Sequence, residues 1–142
     1  MIPGEFITFA KALADNPQSG ASGYRSAVSR AYYGAYLSVS AMIAELAVPS
    51  RLRDYSEHKV IQIYLQNCQV PAAVQLGVFL ASLHELRKNA DYDMDDKTLE
   101  DQSESQLCVE RANEIMKRLH KCRSEKSKIK AGILQYRKKV NA

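Results

Sequence analysis

The sequence predicts an all-α protein, an up-and-down antiparallel helical bundle of about five helices. The 142 residues include only 6 Gly and 4 Pro, which favours long regular elements over many turns. Apolar residues recur at helical spacing in several segments. No segment shows sustained alternation of apolar and polar residues, the pattern of a half-buried strand. These three observations favour antiparallel helices packed around one core.

The first two helices are predicted at about 3–15 and 22–47. The first places Phe6, Phe9, Ala10 and Leu13 on one face and stops at Asn16-Pro17. The second has an apolar stripe with a 3.6-residue period and ends before Pro49. Its small side chains at every fourth position should let a neighbouring helix approach closely; these are Ala27, Ala31 and Ala35.

The remaining three helices are predicted from their start signals. Ser56 is a plausible N-cap for a helix that runs through about Cys68. Pro71 suits the first turn of the fourth helix. Thr98, with Asp101 three residues later, resembles a capping arrangement that opens a long final helix, continuing as far as Tyr136.

Composition points to one soluble domain in a reducing cytoplasm. Three cysteines without a CxxC motif or Cys/His ligand spacing favour free thiols over disulfides or a zinc site. The N-terminus does not resemble a signal peptide, and no apolar run approaches the roughly 20 residues needed to span a bilayer. The acidic run 91–102 lacks the Gly and Glu of a calcium loop, with Asp96 and Gln102 in their places. We expect neither a metal nor a cofactor.

Positive charge is concentrated at the C-terminal end. Residues 121–142 contain eight Lys or Arg against one acid, Glu125, although the whole chain carries only +4. We therefore treat 1–120 as the helical bundle and 121–142 as a basic helical extension or tail. Such a tail can bind nucleic-acid phosphates, and a solvated helix end is an equally common reason for the charge. Its interleaved apolar residues also suit packing on a partner chain.

Two stretches together resemble a known superfamily. The second helix contains YRSAVSRAYYGAYLSVSAMIAEL, the fourth ends in LRKNADYD, and HKVIQIYL lies between them. This order is similar to the HEPN superfamily (higher eukaryotes and prokaryotes nucleotide-binding domains) over roughly residues 3–120. The resemblance implies a helical bundle, usually a dimer. It implies either a metal-independent ribonuclease of antiviral defence or toxin–antitoxin systems, or a nucleotide-binding or nucleotidyltransferase-partner protein.

The resemblance places the candidate catalytic residues at the end of the fourth helix. The family's nuclease signature is Arg, four to six residues, then His. Arg87 matches the Arg, but the positions that follow at that spacing are Tyr92, Asp93 and Met94. Asp91, four residues after Arg87, is the expected ion-pair partner. Arg87 could bind a phosphate and Tyr92 could supply a hydroxyl or a stacking face, or the three could simply close the helix.

Five further residues are candidate ligand contacts. His58 and His84 are candidates to replace the missing histidine, although a lone histidine more often has a structural role. Lys88 and Asn89 could reach RNA phosphates. Arg30 lies among tyrosines, where we favour packing of the rings over a ligand groove.

Two functions remain open from the sequence. The first is a homodimeric defence or toxin–antitoxin protein that binds RNA or a nucleotide, with atypical ribonuclease activity. The second is a non-catalytic module that partners a nucleotidyltransferase or another effector, which the missing motif histidine favours.

Overall fold

The computed structural model describes residues 2–140, and this part of the chain forms six α-helices with no strand. Met1, Asn141 and Ala142 lie outside the described residues. The helices are α1 (Gly4–Asp15), α2 (Gly20–Glu45), α3 (Glu57–Asn67), α4 (Pro71–Tyr92), α5 (Gln102–Cys122) and α6 (Lys126–Lys139). Short 3-10 turns, Thr98–Glu100 and Arg123–Glu125, flank α5. The predicted all-α fold is confirmed.

Helix α2 is the centre of the bundle, and α1 packs closely against it. The predicted small-residue stripe is fully buried, with Ala27, Ala31 and Ala35 all at 0% exposure. A Cβ added to Gly34 would lie 2.6 Å from Ile7 Cγ1, so a side chain there would push α1 away. The predicted buried face of α1 is partly wrong. Phe9 is 54% exposed, because Ile7, Ala10 and Ala14 form the side that meets α2.

The start signals of α3 and α4 are confirmed. Ser56 is the N-cap of α3, and its hydroxyl accepts a hydrogen bond from the Lys59 backbone N–H at 3.3 Å. Pro71 is the first residue of α4, where its missing N–H leaves no helical hydrogen bond unmade.

The predicted cap of the next helix is wrong by three residues. Thr98 lies in the 3-10 turn, and the N-cap of α5 is Asp101, whose carboxylate accepts from the Glu104 backbone N–H at 3.3 Å. The intervening turn buries Leu99 to 2% exposure, so the chain turns once against the core before α5 begins.

The predicted final helix is interrupted, and its second part folds onto α3. After the turn at Arg123–Glu125, α6 places Ile129 and Ile133 at 0% exposure in the common core. Gly132 makes this approach possible, since an added Cβ would lie 1.9 Å from the Cys68 carbonyl oxygen. Much of the basic segment is therefore a packed element of the bundle. The predicted boundary at 120/121 falls inside α5, two residues before its end.

Arg25 ties the end of α4 and the loop beyond it to α2. Its guanidinium donates to the backbone carbonyls of Asn89, Ala90 and Asp93 at 3.0–3.1 Å, and to that of Asp96 at 2.5 Å. It also forms a largely buried ion pair with Glu100, 2.8 Å from Nη2 to the carboxylate. Two of its partners, the Asn89 and Ala90 carbonyls, belong to the last turn of α4, where most C=O groups lack partners within the helix. The Asn89 carbonyl also accepts from the Asp93 backbone N–H at 3.1 Å. Arg25 thereby holds the segment that carries the sequence-predicted site.

Within residues 2–140, no helix is both long enough and apolar enough to cross a bilayer.

Candidate functional site

The candidate site lies where α2, α3 and α4 meet, and two side-chain pairs join α2 to α4. Ser29 donates to Asp91 Oδ2 at 3.2 Å, and Arg87 Nη2 donates to the Tyr33 hydroxyl at 2.5 Å. Ser29 and Tyr33 are four residues apart, as are Arg87 and Asp91, so each pair lies on one helix face. The pairs run in opposite directions because α2 and α4 are antiparallel.

Arg87 occupies a polar and aromatic environment, and its side chain is only 11% exposed. Nε lies 3.0 Å from Asp91 Oδ2, which confirms the predicted pairing. The Nε–H does not point at the carboxylate well enough to make a hydrogen bond, so the contact is an ion pair. The guanidinium carbon lies 4.9 Å from the Tyr33 ring centre and 5.6 Å from that of Tyr92. These faces stabilise a cation.

Next to Arg87 is a set of rings in stacked and edge-to-face contact that we call the aromatic cluster: Tyr32, Tyr33, Tyr36, His58 and His84. His58 of α3 stacks on Tyr36 with ring centres 4.0 Å apart and on His84 at 5.0 Å. Its Nδ1 is 2.6 Å from the Tyr32 hydroxyl. Tyr32 is fully buried and His84 is 6% exposed, whereas Tyr33 and His58 are half-buried. Tyr33 and His58 are therefore the members most open to a ligand.

Both histidines of the cluster are neutral at neutral pH. Burial, followed by the neighbouring His58 and the positive Lys88 and Arg87, lowers the pKa of His84 to about 4. Burial and then the charge of Arg87 also lower the pKa of His58 below its usual 6.5, against a weaker opposing effect of Glu57. His58 is therefore in the neutral form, which can accept a proton.

The buried tyrosines of the cluster keep their protons. Burial is the main reason that the pKa of Tyr32 is raised far above its usual 10. Burial also raises the pKa of Tyr36, with a further contribution from the negative charge of Glu57. Both phenols therefore serve as neutral hydrogen-bonding groups.

The other sequence-predicted residues lie at the edge of the site or away from it. Tyr92 is 72% exposed at the rim, with its ring beside Arg87. Lys88 pairs with Glu85 at 2.7 Å, and the backbone carbonyl of Asn89 accepts from Arg25. Arg30 is exposed and lies 6.0 Å from the Phe6 ring of α1, so it is not joined to the aromatic cluster by the contacts of its guanidinium.

Sequence reasoning missed the polar roles of the tyrosines on α2. Tyr32 and Tyr33 read as packing residues, yet their hydroxyls contact His58 and Arg87. It also missed Gln62, whose Nε2 lies 2.9 Å from His84 Nδ1. The available signal was the four-residue spacing of Ser29 and Tyr33, which matches that of Arg87 and Asp91.

The basic residues of the C-terminal segment divide into those that bind the bundle and those that face solvent. Arg137 donates to the Arg51 carbonyl at 2.8 Å and to the Tyr64 hydroxyl at 2.6 Å, and Lys126 pairs with Glu45. The others are exposed: Lys121, Arg123, Lys128, Lys130, Lys138 and Lys139. These six leave a cationic surface on the outside of the bundle.

In the described part of the chain, no three His, Cys, Asp or Glu side chains gather as a metal site would require. No protein family, curated protein or solved structure matches this chain. The chemistry of the site therefore has to be argued from its own residues. They offer a shielded cation, a neutral imidazole and a hydroxyl within one cluster, a combination suited to binding a phosphate and moving a proton beside it.

Proposed function

We propose that this protein binds RNA at Arg87 and the aromatic cluster, and cleaves it there without a metal ion. The observation that carries the proposal is the position of the Arg87 guanidinium beside the Tyr33 hydroxyl, with the His58 imidazole in the same cluster. His58 takes the place of the histidine that the HEPN nuclease motif would put after Arg87. The system would be of the defence or toxin–antitoxin type, acting in the cytoplasm, which the three buried free thiols support.

In the proposed reaction, the RNA supplies its own nucleophile. His58 Nε2 takes the proton of a 2′-hydroxyl, whose oxygen forms a bond to the adjacent phosphorus. The bond from phosphorus to the 5′-oxygen breaks, and that oxygen receives the Tyr33 proton. The products are a 2′,3′-cyclic phosphate and a 5′-hydroxyl end, and His58 returns its proton through water to Tyr33.

Each role has a structural basis. As a base, His58 needs its own proton on Nδ1, and the Tyr32 oxygen, 2.6 Å away, is placed to accept it. Arg87 Nη2 donates to the Tyr33 oxygen, which leaves the Tyr33 proton free for transfer. The Arg87 charge offsets the negative charge that develops on the phosphate. Asp91 orients the guanidinium, and exposed Tyr92 offers a ring on which a base can stack.

The proposal includes a homodimer in which two such sites face one another. Leu37 follows Tyr33 by one turn of α2 and is 36% exposed, and Tyr92 is more exposed still. Apolar side chains beside the site can bury against a second copy. The mass in solution, measured by light scattering, tests this: a dimer that Leu37→Glu dissociates supports it, and a monomeric wild-type protein refutes it.

One observation favours the alternative, a non-catalytic module that partners a nucleotidyltransferase or another effector. Arg87 is mostly buried, and within the protein its charge is paired with Asp91 and its Nη2 donates to Tyr33. A structural cluster of this kind would support a docking surface without contacting RNA.

Cleavage of RNA in the presence of EDTA separates the two functions. The wild type is compared with Arg87→Ala, His58→Gln and Tyr33→Phe, and the ends of the products are identified. We expect each substitution to slow cleavage at least about 100-fold, the scale of a lost acid–base group or charge contact. The products should carry 2′,3′-cyclic phosphate and 5′-hydroxyl ends.

The control is Arg111→Ala, which removes an exposed cation from α5, away from the site. It should cleave like the wild type. Circular dichroism spectra verify that all variants remain folded. Cleavage that survives Arg87→Ala and His58→Gln would locate the activity elsewhere or in a contaminant. Absence of cleavage by folded wild-type protein would leave the partner module as the better description.

A further inference from the structure

A cleft of about 180 Å³ opens next to the aromatic cluster, between α2, α3 and the loop that joins them. Tyr36 belongs to both the aromatic cluster and the cleft, because its ring stacks on His58, with ring centres 4.0 Å apart, and also lines the cleft. The Tyr36 ring centre is 5.8 Å from that of Tyr32, and the Arg87 guanidinium carbon lies 5.9 Å from the same Tyr32 ring. Tyr32 therefore separates the cleft from the proposed phosphate contact.

The walls of the cleft combine flat apolar surface with a polar edge. Ile43, Val60 and Ile61 contribute aliphatic side chains. Ser40 and the carboxylate of Glu57 provide hydrogen-bonding groups beside the Tyr36 hydroxyl. No Lys or Arg lines the cleft, so it does not suit a phosphate. Arg137 reaches the Tyr64 hydroxyl, but the cation itself is not part of the lining.

This chemistry suits an uncharged planar ligand with N–H donors on one edge. A nucleobase has two apolar faces and a polar edge, and bases commonly stack on aromatic side chains. Among the bases, guanine presents two adjacent donors, N1–H and the 2-amino group, that one carboxylate can accept together. Adenine has an acceptor at N1, and cytosine and uracil lack that pair of donors.

We propose that the cleft is a nucleobase subsite selective for guanine, with Glu57 accepting from the guanine N1–H and 2-amino group. It deepens the proposed function, because the base would lie in the cleft while its phosphate reaches toward Arg87. Cleavage should then occur next to guanosine. Glu57 lies at the first position of α3 and is exposed, so it is accessible to a ligand and can be substituted without disturbing the core.

The test measures binding of guanosine, inosine, adenosine and inorganic phosphate to the full chain by calorimetry. Guanosine has no phosphate, so its binding reports on the cleft alone. We expect guanosine to bind about tenfold more tightly than inosine, the scale of one lost hydrogen bond to a charged group, and to exceed adenosine by more, because adenosine lacks both donors. Glu57→Gln should remove this preference, whereas Glu85→Gln, an exposed carboxylate on α4, should leave it unchanged.

Two further variants make the result independent of the proposed function. Ala44→Leu adds bulk at the partly open edge of the cleft and should abolish guanosine binding while the protein stays folded. Arg87→Ala should leave guanosine binding intact. Selective binding with no RNA cleavage would retain the subsite and reject the nuclease. RNA cleavage without guanosine selectivity, or selectivity that survives Glu57→Gln, would overturn the subsite and leave the nuclease standing.

Discussion

Acid should destabilise this protein at a pH where its carboxylates are still ionised, and His84 should be the main cause. The pKa of His84 falls from its usual 6.5 to about 4 in the folded protein, chiefly because the ring is buried. The unfolded chain therefore binds the proton more tightly than the folded one. This part of the stability is fully present above pH 6.5 and is lost progressively as the pH falls toward 4.

The magnitude follows from the size of that window. Each pH unit between the two pKa values costs about 1.4 kcal/mol, so lowering the pH from 7 to 5 should remove about 2 kcal/mol of unfolding free energy. His58 changes in the same direction and adds to the loss. Carboxylates contribute mainly below this range, because their unfolded pKa values are near 4.

Urea unfolding followed by circular dichroism at pH 7 and pH 5 measures the effect. His84→Gln should lower stability at pH 7, because the stacking on Tyr32 is lost, but should show a much smaller decrease between the two pH values. His120→Gln removes an exposed histidine and should keep the wild-type decrease. The reasoning is refuted if wild type is equally stable at both pH values, or if His84→Gln loses as much as wild type.

Three further substitutions test the packing that positions the site, each measured by urea unfolding. Arg25→Ala removes the guanidinium that donates to Glu100 and to four carbonyls, and should cost at least about 3 kcal/mol of unfolding free energy. The control, Arg30→Ala on the exposed side of α2, should cost less than about 0.5 kcal/mol, and equal effects would contradict the role of Arg25. Gly132→Ala places a Cβ against the Cys68 carbonyl and should cost about 2 kcal/mol, so a neutral result would mean that α6 packs differently. Ser56→Ala removes the N-cap of α3 and should cost about 1 kcal/mol, whereas Ser56→Asp should keep most of the wild-type stability because aspartate also caps helices. A Ser56→Ala protein as stable as the wild type would show that the cap does not matter.

The homodimer, the RNA ligand and the effector partner are proposals that rest on the family resemblance and on the chemistry of the site.

Local signals account for what the sequence predicted well. Ser56 and Pro71 act through backbone groups within one turn of themselves, and the alanine stripe of α2 acts through a periodicity visible in the chain. The Arg87–Asp91 pair is also local, since helix geometry alone brings positions four apart together.

Contacts between helices were decided only by the tertiary structure. His58 meets Tyr32 across 26 residues, and Arg87 meets Tyr33 across 54, distances at which no helical periodicity carries information. Arg25 reads as an ordinary charged residue until the loop after α4 surrounds it with carbonyls. The sequence by itself determined the helical class and the positions of α2, α3 and α4, because those depend on neighbours within a few positions. The buried face of α1 and the break between α5 and α6 depended on how the helices pack. The structure decided which polar side chains meet, because that depends on how three separate helices pack.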